Sequence, residues 1–115
     1  MSKSSRHVTA HRLLKSAALF AALGDGTRLE IIARLADGSQ QSITQLSEHA
    51  TVTRQAITKH LRVLEAAGLV RSTRHGRETL FALQPRSLEE AQRALAAVSQ
   101  QWDEALARLK TFVEK

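Results

Sequence analysis

Thr53-Arg54-Gln55-Ala56-Ile57-Thr58-Lys59-His60-Leu61-Arg62-Val63-Leu64-Glu65-Ala66-Ala67-Gly68 is the stretch on which the fold turns. With residues placed 100° apart, Ile57, Leu61 and Leu64 fall within about 60° of one another, which makes one face of a helix apolar. Nearly opposite them stand Gln55, Thr58, Lys59 and Arg62, with Arg54 at the N-terminal edge. Thr53 is a good N-cap, and Gly68 stands where a helix-ending glycine is expected, so the pattern predicts a helix running from Thr53 to Ala67.

Just upstream, Ser42 or Thr44 opens a short helix carrying Ile43, Leu46 and Ala50. Val52 follows as an apolar plug, and the two helices together have the spacing of a helix-turn-helix. Downstream the period changes from 3.6 to 2. Leu69-Val70-Arg71-Ser72-Thr73 and Glu78-Thr79-Leu80-Phe81-Ala82-Leu83 read as strands joined by Arg74-His75-Gly76-Arg77, with Gly76 supplying the positive φ of a tight hairpin. Gln84-Pro85 ends the sheet, and a long helix is predicted from Ser87 to Val113.

On the N-terminal side, Leu13, Leu14, Ala17, Phe20, Ala21 and Leu23 predict a helix over 9–23, stopped by Gly24-Asp25-Gly26. Asp25 or Thr27 caps the next, which carries Leu29, Ile32, Ala33 and Leu35 to about Ala36, where Asp37-Gly38 ends it. The expected fold is mainly α with a small β-hairpin: a winged helix-turn-helix in the order α-α-α-α-β-β-α. Residues 1–8 read as a flexible polar terminus and 9–115 as one domain, which suits a chain of 115 residues.

Charge points to the partner. Seventeen Lys and Arg against eleven Asp and Glu give a formal charge of +6, the balance of a protein that meets a polyanion. The excess is local. Arg54, Lys59, Arg62, Arg71, Arg74 and Arg77 crowd into residues 53–77 beside a single acid, Glu65. Residues 1–23 add Lys3, Arg6, Arg12 and Lys15 with no acid at all. Double-stranded DNA is the expected partner. Arg54, Gln55, Thr58 and Lys59 can hydrogen-bond base edges, and they lie in the N-terminal half of the helix, where such proteins contact bases. The backbone contacts fall to Thr53 at the helix start, Arg62 one turn deeper, and Arg71, Arg74, His75 and Arg77 on the hairpin. His60 lies beside the apolar face, which suits a packed or phosphate-contacting histidine better than a base reader.

Ala21-Ala22-Leu23-Gly24-Asp25-Gly26-Thr27-Arg28, together with the run from Ala56 to Val70, resembles the ArsR (ArsR/SmtB) transcriptional regulators over roughly residues 12–113. The resemblance implies a homodimer built on the first and last helices that represses transcription by occupying operator DNA, with the helix from Thr53 as recognition helix. Gly26 stands where the family often has proline, so that helix start is less rigid. The family's metal sensors place cysteines in the first helix of the helix-turn-helix; here Ser42 and Thr44 occupy those places. Other members bind zinc through Asp and His of the last helix, which here has no histidine. The sequence therefore looks closer to cysteine-free members with a tryptophan in that helix.

The dimer has its own signal. Leu88, Ala91, Leu95, Val98, Trp102, Leu106, Leu109 and Val113 step by three or four along a helix too long for this small core to cover. Leu95, Val98, Trp102, Leu106 and Leu109 are the expected contacts, with Leu13, Ala17 and Phe20 of the first helix. Trp102 reads as a seam filler in preference to a ligand-pocket residue.

Several function classes drop out. The chain contains no cysteine, which removes disulfides, thiolate metal sites and thiol redox switches. His7 and His11 are four apart but lack a third ligand, so no metal and no cofactor is expected. There is no glycine-rich phosphate loop or carboxylate–histidine cluster, hence no enzyme. Lys15 interrupts the apolar run Leu13–Leu23, which argues against a signal peptide, and no run is long enough to span a membrane. The expected setting is the cytoplasm, with a small-molecule effector left open. Two other classes compete: a non-specific architectural DNA binder, and a module whose terminal helix docks a controlling protein.

Overall fold

The structure is a computed structural model that describes His11, Leu14 and residues 16–114. The described elements are α1 (Ala17–Leu23), α2 (Gly26–Arg34), β1 (Gln41–Ser42), α3 (Ile43–Ser47), α4 (Arg54–Ala66), β2 (Val70–His75), β3 (Glu78–Leu83) and α5 (Pro85–Glu114). Of the expected first helix, 9–23, the C-terminal part is described as α1. Leu13 and the terminus 1–8 lie outside the described residues.

Local chemistry sets most boundaries. Asp25 caps α2 by accepting from the Arg28 N–H at 3.0 Å. Ser42 caps α3 through a complete capping box: its hydroxyl accepts from the Gln45 N–H at 3.2 Å, and its own N–H donates to Gln45 Oε1 at 2.8 Å. Thr53 caps α4 by accepting from the Ala56 N–H at 3.1 Å. At the other end of α4, Gly68 takes φ +78. Its N–H donates to Glu65 O at 3.0 Å and that of Leu69 to Leu64 O at 2.9 Å, the pair of bonds of a Schellman motif. The chain therefore leaves the helix at a defined angle straight into β2.

The hairpin is tighter than expected. β2 runs on to His75, which pairs with Glu78, so Gly76-Arg77 alone form the turn. Gly76 has φ +62 and no non-glycine residue among those described has a positive φ, the arrangement of a type II′ turn. The sheet also has a third strand. β1 pairs antiparallel with β3, Gln41 opposite Phe81 and Ser42 opposite Leu80, in the order β1-β3-β2. The residue that caps α3 is thus hydrogen-bonded into the same sheet as the wing.

Leu35, Leu46, Ile57, Leu61, Leu64, Leu69 and Val70 are the largest fully buried side chains. They come from the C-cap of α2, from α3 and α4, and from Leu69-Val70 where the chain enters β2, so the core sits where the helix-turn-helix meets the sheet. Val52 packs against it as a partly buried plug. The last helix is different. Of its 30 residues only Ala91 and Ala94 are buried, and at about 1.5 Å per residue it is some 45 Å long. The molecule measures 67 × 26 × 21 Å with a radius of gyration of 18.6 Å, against roughly 13 Å for a compact domain of this size. α5 runs well past the core that holds its first turns.

Candidate nucleic-acid interface

α4 turns Ile57, Leu61 and Leu64 inward, so sequence periodicity alone decides that Arg54, Gln55, Lys59 and Arg62 stand exposed. Thr58 is half-buried, and its Oγ1 donates back to Arg54 O at 3.0 Å. The Arg54 guanidinium reaches across to α3 and donates to Thr44 Oγ1 at 2.9 Å. Its head is thereby held between the two helices of the motif. Ser42 and Thr44, at the positions where the family's metal sensors carry cysteine, have structural tasks here: one caps α3, the other holds Arg54.

Glu65, the one acid in the basic stretch, accepts from Ser72 Oγ at 2.6 Å. This bond lays β2 against α4 and occupies one oxygen of the acid. Ser72 and Phe81 are opposite each other, as are Arg74 and Thr79, and residues two apart share a face of the strand. Arg74 is therefore on the α4 side of the wing, where its Nε donates to Gly76 O at 3.3 Å. His75 and Arg77 are exposed at the tip. Arg71 stands apart. It pairs with Ala82 on the other face and borders a cleft of about 470 Å³ lined also by Ala36, Leu83, Leu88 and Glu89.

His60 is turned away from the reading face. Its Nδ1 lies 3.7 Å from Asp25 Oδ2 and 3.3 Å from an Arg28 guanidinium nitrogen, the packed alternative of the two expected for it. The Arg28 backbone N–H is the main reason the Asp25 carboxyl sits below the ordinary carboxylate range. Desolvation opposes it, and the Arg28 charge adds to the lowering. No group of three or more His, Asp or Glu side chains gathers among the described residues in a way that would hold a metal.

Of the residues expected at a dimer seam, Leu95, Trp102, Leu106 and Leu109 are 55–64% exposed. Ala17 is exposed, and Phe20 and Val98 are half-buried. At 100° per residue the seam side chains of α5 continue the line of Ala91 and Ala94. No helix is long and apolar enough to cross a membrane among the described residues.

Sequence reasoning passed over three contacts: Thr44 to Arg54, Ser72 to Glu65, and the bonds of Arg28. Only the Ser42-x-x-Gln45 box had a local signature.

A helix-turn-helix domain model matches residues 23–73. An HTH-type transcriptional regulator of Bacillus subtilis, YuzN, is 44% identical over 66 residues, 52% of this chain and 72% of that protein. The HTH-type transcriptional repressor SmtB of Mycobacterium tuberculosis is 35% identical over 65 residues, 56% of this chain and 47% of its own length. Among solved structures, an ArsR-like transcriptional regulator from Rhodococcus sp. RHA1 superposes with a TM-score of 0.75 at 40% identity, covering 86% of this chain and 92% of that one.

Proposed function

The chain belongs to the ArsR/SmtB family of winged helix-turn-helix DNA-binding transcriptional regulators, and from that premise we propose that it is a homodimeric repressor of a partly palindromic operator. The observation that carries the dimer is the apolar stripe of α5. It is buried at Ala91 and Ala94, half-buried at Val98, and exposed at Leu95, Trp102, Leu106 and Leu109. An apolar stripe exposed at four large side chains marks an association surface. A second copy, related by a two-fold axis and meeting it with its own α5 and α1, covers it. Two α4 helices then stand about 34 Å apart, or a multiple of that, so each reads one half-site.

In this reading the chain is one domain from residue 9 onward and works in the cytoplasm where its DNA is. Gln55, Thr58 and Lys59 read base edges, with Arg54 beside them. Thr53, Arg62, Arg74, His75 and Arg77 are the backbone set; His60, packed against Arg28 and Asp25, and Arg71, on the other face of the wing, stand outside it. Of these, Arg62, Arg74, His75 and Arg77 are the best placed. Repression follows from occupancy: a bound dimer excludes polymerase from the same stretch of duplex.

The test compares a duplex selected from a random pool with an unrelated duplex. Gln55→Ala or Lys59→Ala is expected to cost about 1–3 kcal/mol on the selected duplex and little on the other. Arg74→Ala or Arg77→Ala is expected to weaken both alike and to lower the slope of log K against log salt by about one. Equal losses on both duplexes for Gln55→Ala would remove direct readout, and a selection that returns no motif would favour the architectural reading.

A further inference from the structure

We propose that Arg28 is a positioning residue for DNA reading, one guanidinium that fixes the seating of α4 through His60 and joins it to the end of α1. The inference rests on the reading of α4 as the helix that meets DNA. It concerns a side chain that touches neither bases nor phosphates.

Arg28 stands in the first turn of α2, at the point where α1, α2 and α4 meet. Its Nε donates to Ala22 O at 2.6 Å and a terminal nitrogen to Ala21 O at 3.4 Å, so it reaches two carbonyls in the last turn of α1, sharing Ala21 O with the Gly24 N–H. The other terminal nitrogen lies 3.3 Å from His60 Nδ1. Its backbone N–H is held by Asp25. All three arms of the fork are thus engaged with defined partners on two other segments, a rigidity that the flexible point charge of a lysine does not supply.

A guanidinium can only donate. In a hydrogen bond between the two, Nδ1 of His60 is therefore the acceptor. That contact sets the ring between Arg28 and Asp25, on the flank of α4 between its buried and its reading faces. It opposes rotation of the helix about its own axis. A rotation of 20° swings an exposed side-chain end about 6 Å from the axis by some 2 Å, for a helix whose diameter with side chains is about 10–12 Å. That is enough to break a bidentate contact with a base edge, while a phosphate contact from a long side chain would adjust. Loss of the Arg28–His60 contact should therefore damage discrimination between sequences more than affinity in general. Because the same guanidinium also takes the carbonyls of α1, the helix assigned to the dimer seam and the helix assigned to reading share one side chain.

A purely structural cap on α1 predicts something else: a lower melting point, and affinity for every duplex reduced in proportion to the folded fraction. The deciding quantity is the ratio of Kd values for an unrelated and a selected duplex, measured well below each variant's melting point. Arg28→Gln and His60→Leu are each expected to lower that ratio about tenfold, equivalent to about 1.4 kcal/mol. The double variant should lower it no further, since both remove one contact. His60→Asn, whose side-chain oxygen stands in for Nδ1 as acceptor, should restore most of what His60→Leu loses.

An unchanged ratio in folded Arg28→Gln, or strictly additive losses in the double variant, overturns the proposal. So does an equal fall in both affinities for His60→Leu, the mark of a plain phosphate contact. Should Arg28→Gln fail to fold, the comparison of His60→Leu with His60→Asn decides alone, because neither touches the cap on α1. A wild-type protein that shows no preference among duplexes overturns the function reading itself, and the present inference with it.

Discussion

Replacing both Trp102 and Leu106 with glutamate is expected to yield a folded monomer whose operator affinity is lower by about 10²- to 10⁴-fold. The size follows from valency: once one recognition helix is engaged, its twin in the associated subunit binds at high effective concentration, and separating the two forfeits that gain. The protomer itself should survive, because the two side chains are 64% and 55% exposed and contribute little to its own core. In a two-fold seam the same change brings four carboxylates together, and each buried charge costs several kcal/mol. Sedimentation at the concentration where the wild type is a dimer gives the first readout, and titration of the selected duplex the second. A double variant that still sediments as a dimer would place the seam elsewhere. A wild-type chain that is monomeric alone would favour the protein-partner reading.

The second large effect concerns the core. Leu64→Ala is expected to cost about 2–5 kcal/mol, the range for deleting a fully buried leucine side chain. Leu64 is 0% exposed, and its carbonyl accepts the Leu69 N–H that turns α4 into the wing. The cavity would open at the joint between reading helix and sheet, where neighbours on both sides are held by backbone hydrogen bonds and cannot collapse inward. Against a total stability of about 5–15 kcal/mol for a domain, that is a large share. Denaturant unfolding at fixed protein concentration measures it, the fixed concentration being needed because association adds to apparent stability. A loss under about 1 kcal/mol would mean that the core does not lie where α4 meets β2.

Much of this was legible beforehand, for reasons that are local. Thr53 and Gly68 announce the ends of the recognition helix because capping chemistry depends on residues three or four apart. Gly76 announces the turn because few residues tolerate its φ. The divided surface of α4 follows from a period of 3.6. Where the reading differs from the structure, the cause is brevity, distance or a local signal that fits two outcomes. β1 is two residues long, too short to show a period, and its pairing with β3 depends on residues nearly forty positions away. The last helix begins at Pro85, two residues before the expected Ser87. Gln84-Pro85 reads as the end of the sheet, although proline is equally at home as the first residue of a helix. α2 stops at Arg34, near Leu35 and not at Ala36, because the last turn tightens as the Leu35 N–H bonds to Ile31 O and Ile32 O.

Within the interface, the sequence placed Arg71, Arg74 and Arg77 together by charge alone. Strand geometry separates them: Arg74 shares the face of Ser72, and Arg71 takes the other. For the same reason His60, basic by composition, proves to face Asp25 and Arg28. Charge counts identify a surface, and only the register of strand and helix says which charges belong to it.

The two-residue turn has a consequence for the length of DNA the wing commands. Neighbouring residues on a strand face opposite ways, so an insertion near the tip keeps its cations on the Arg74 side only when it adds two residues to each strand. Every such step carries the tip about 6.8 Å farther, or roughly two base pairs at about 3.4 Å each. The wing is a ruler with coarse graduations. Its reach changes in whole divisions, independently of the bases that α4 reads, so footprint length and sequence preference can vary separately on one scaffold.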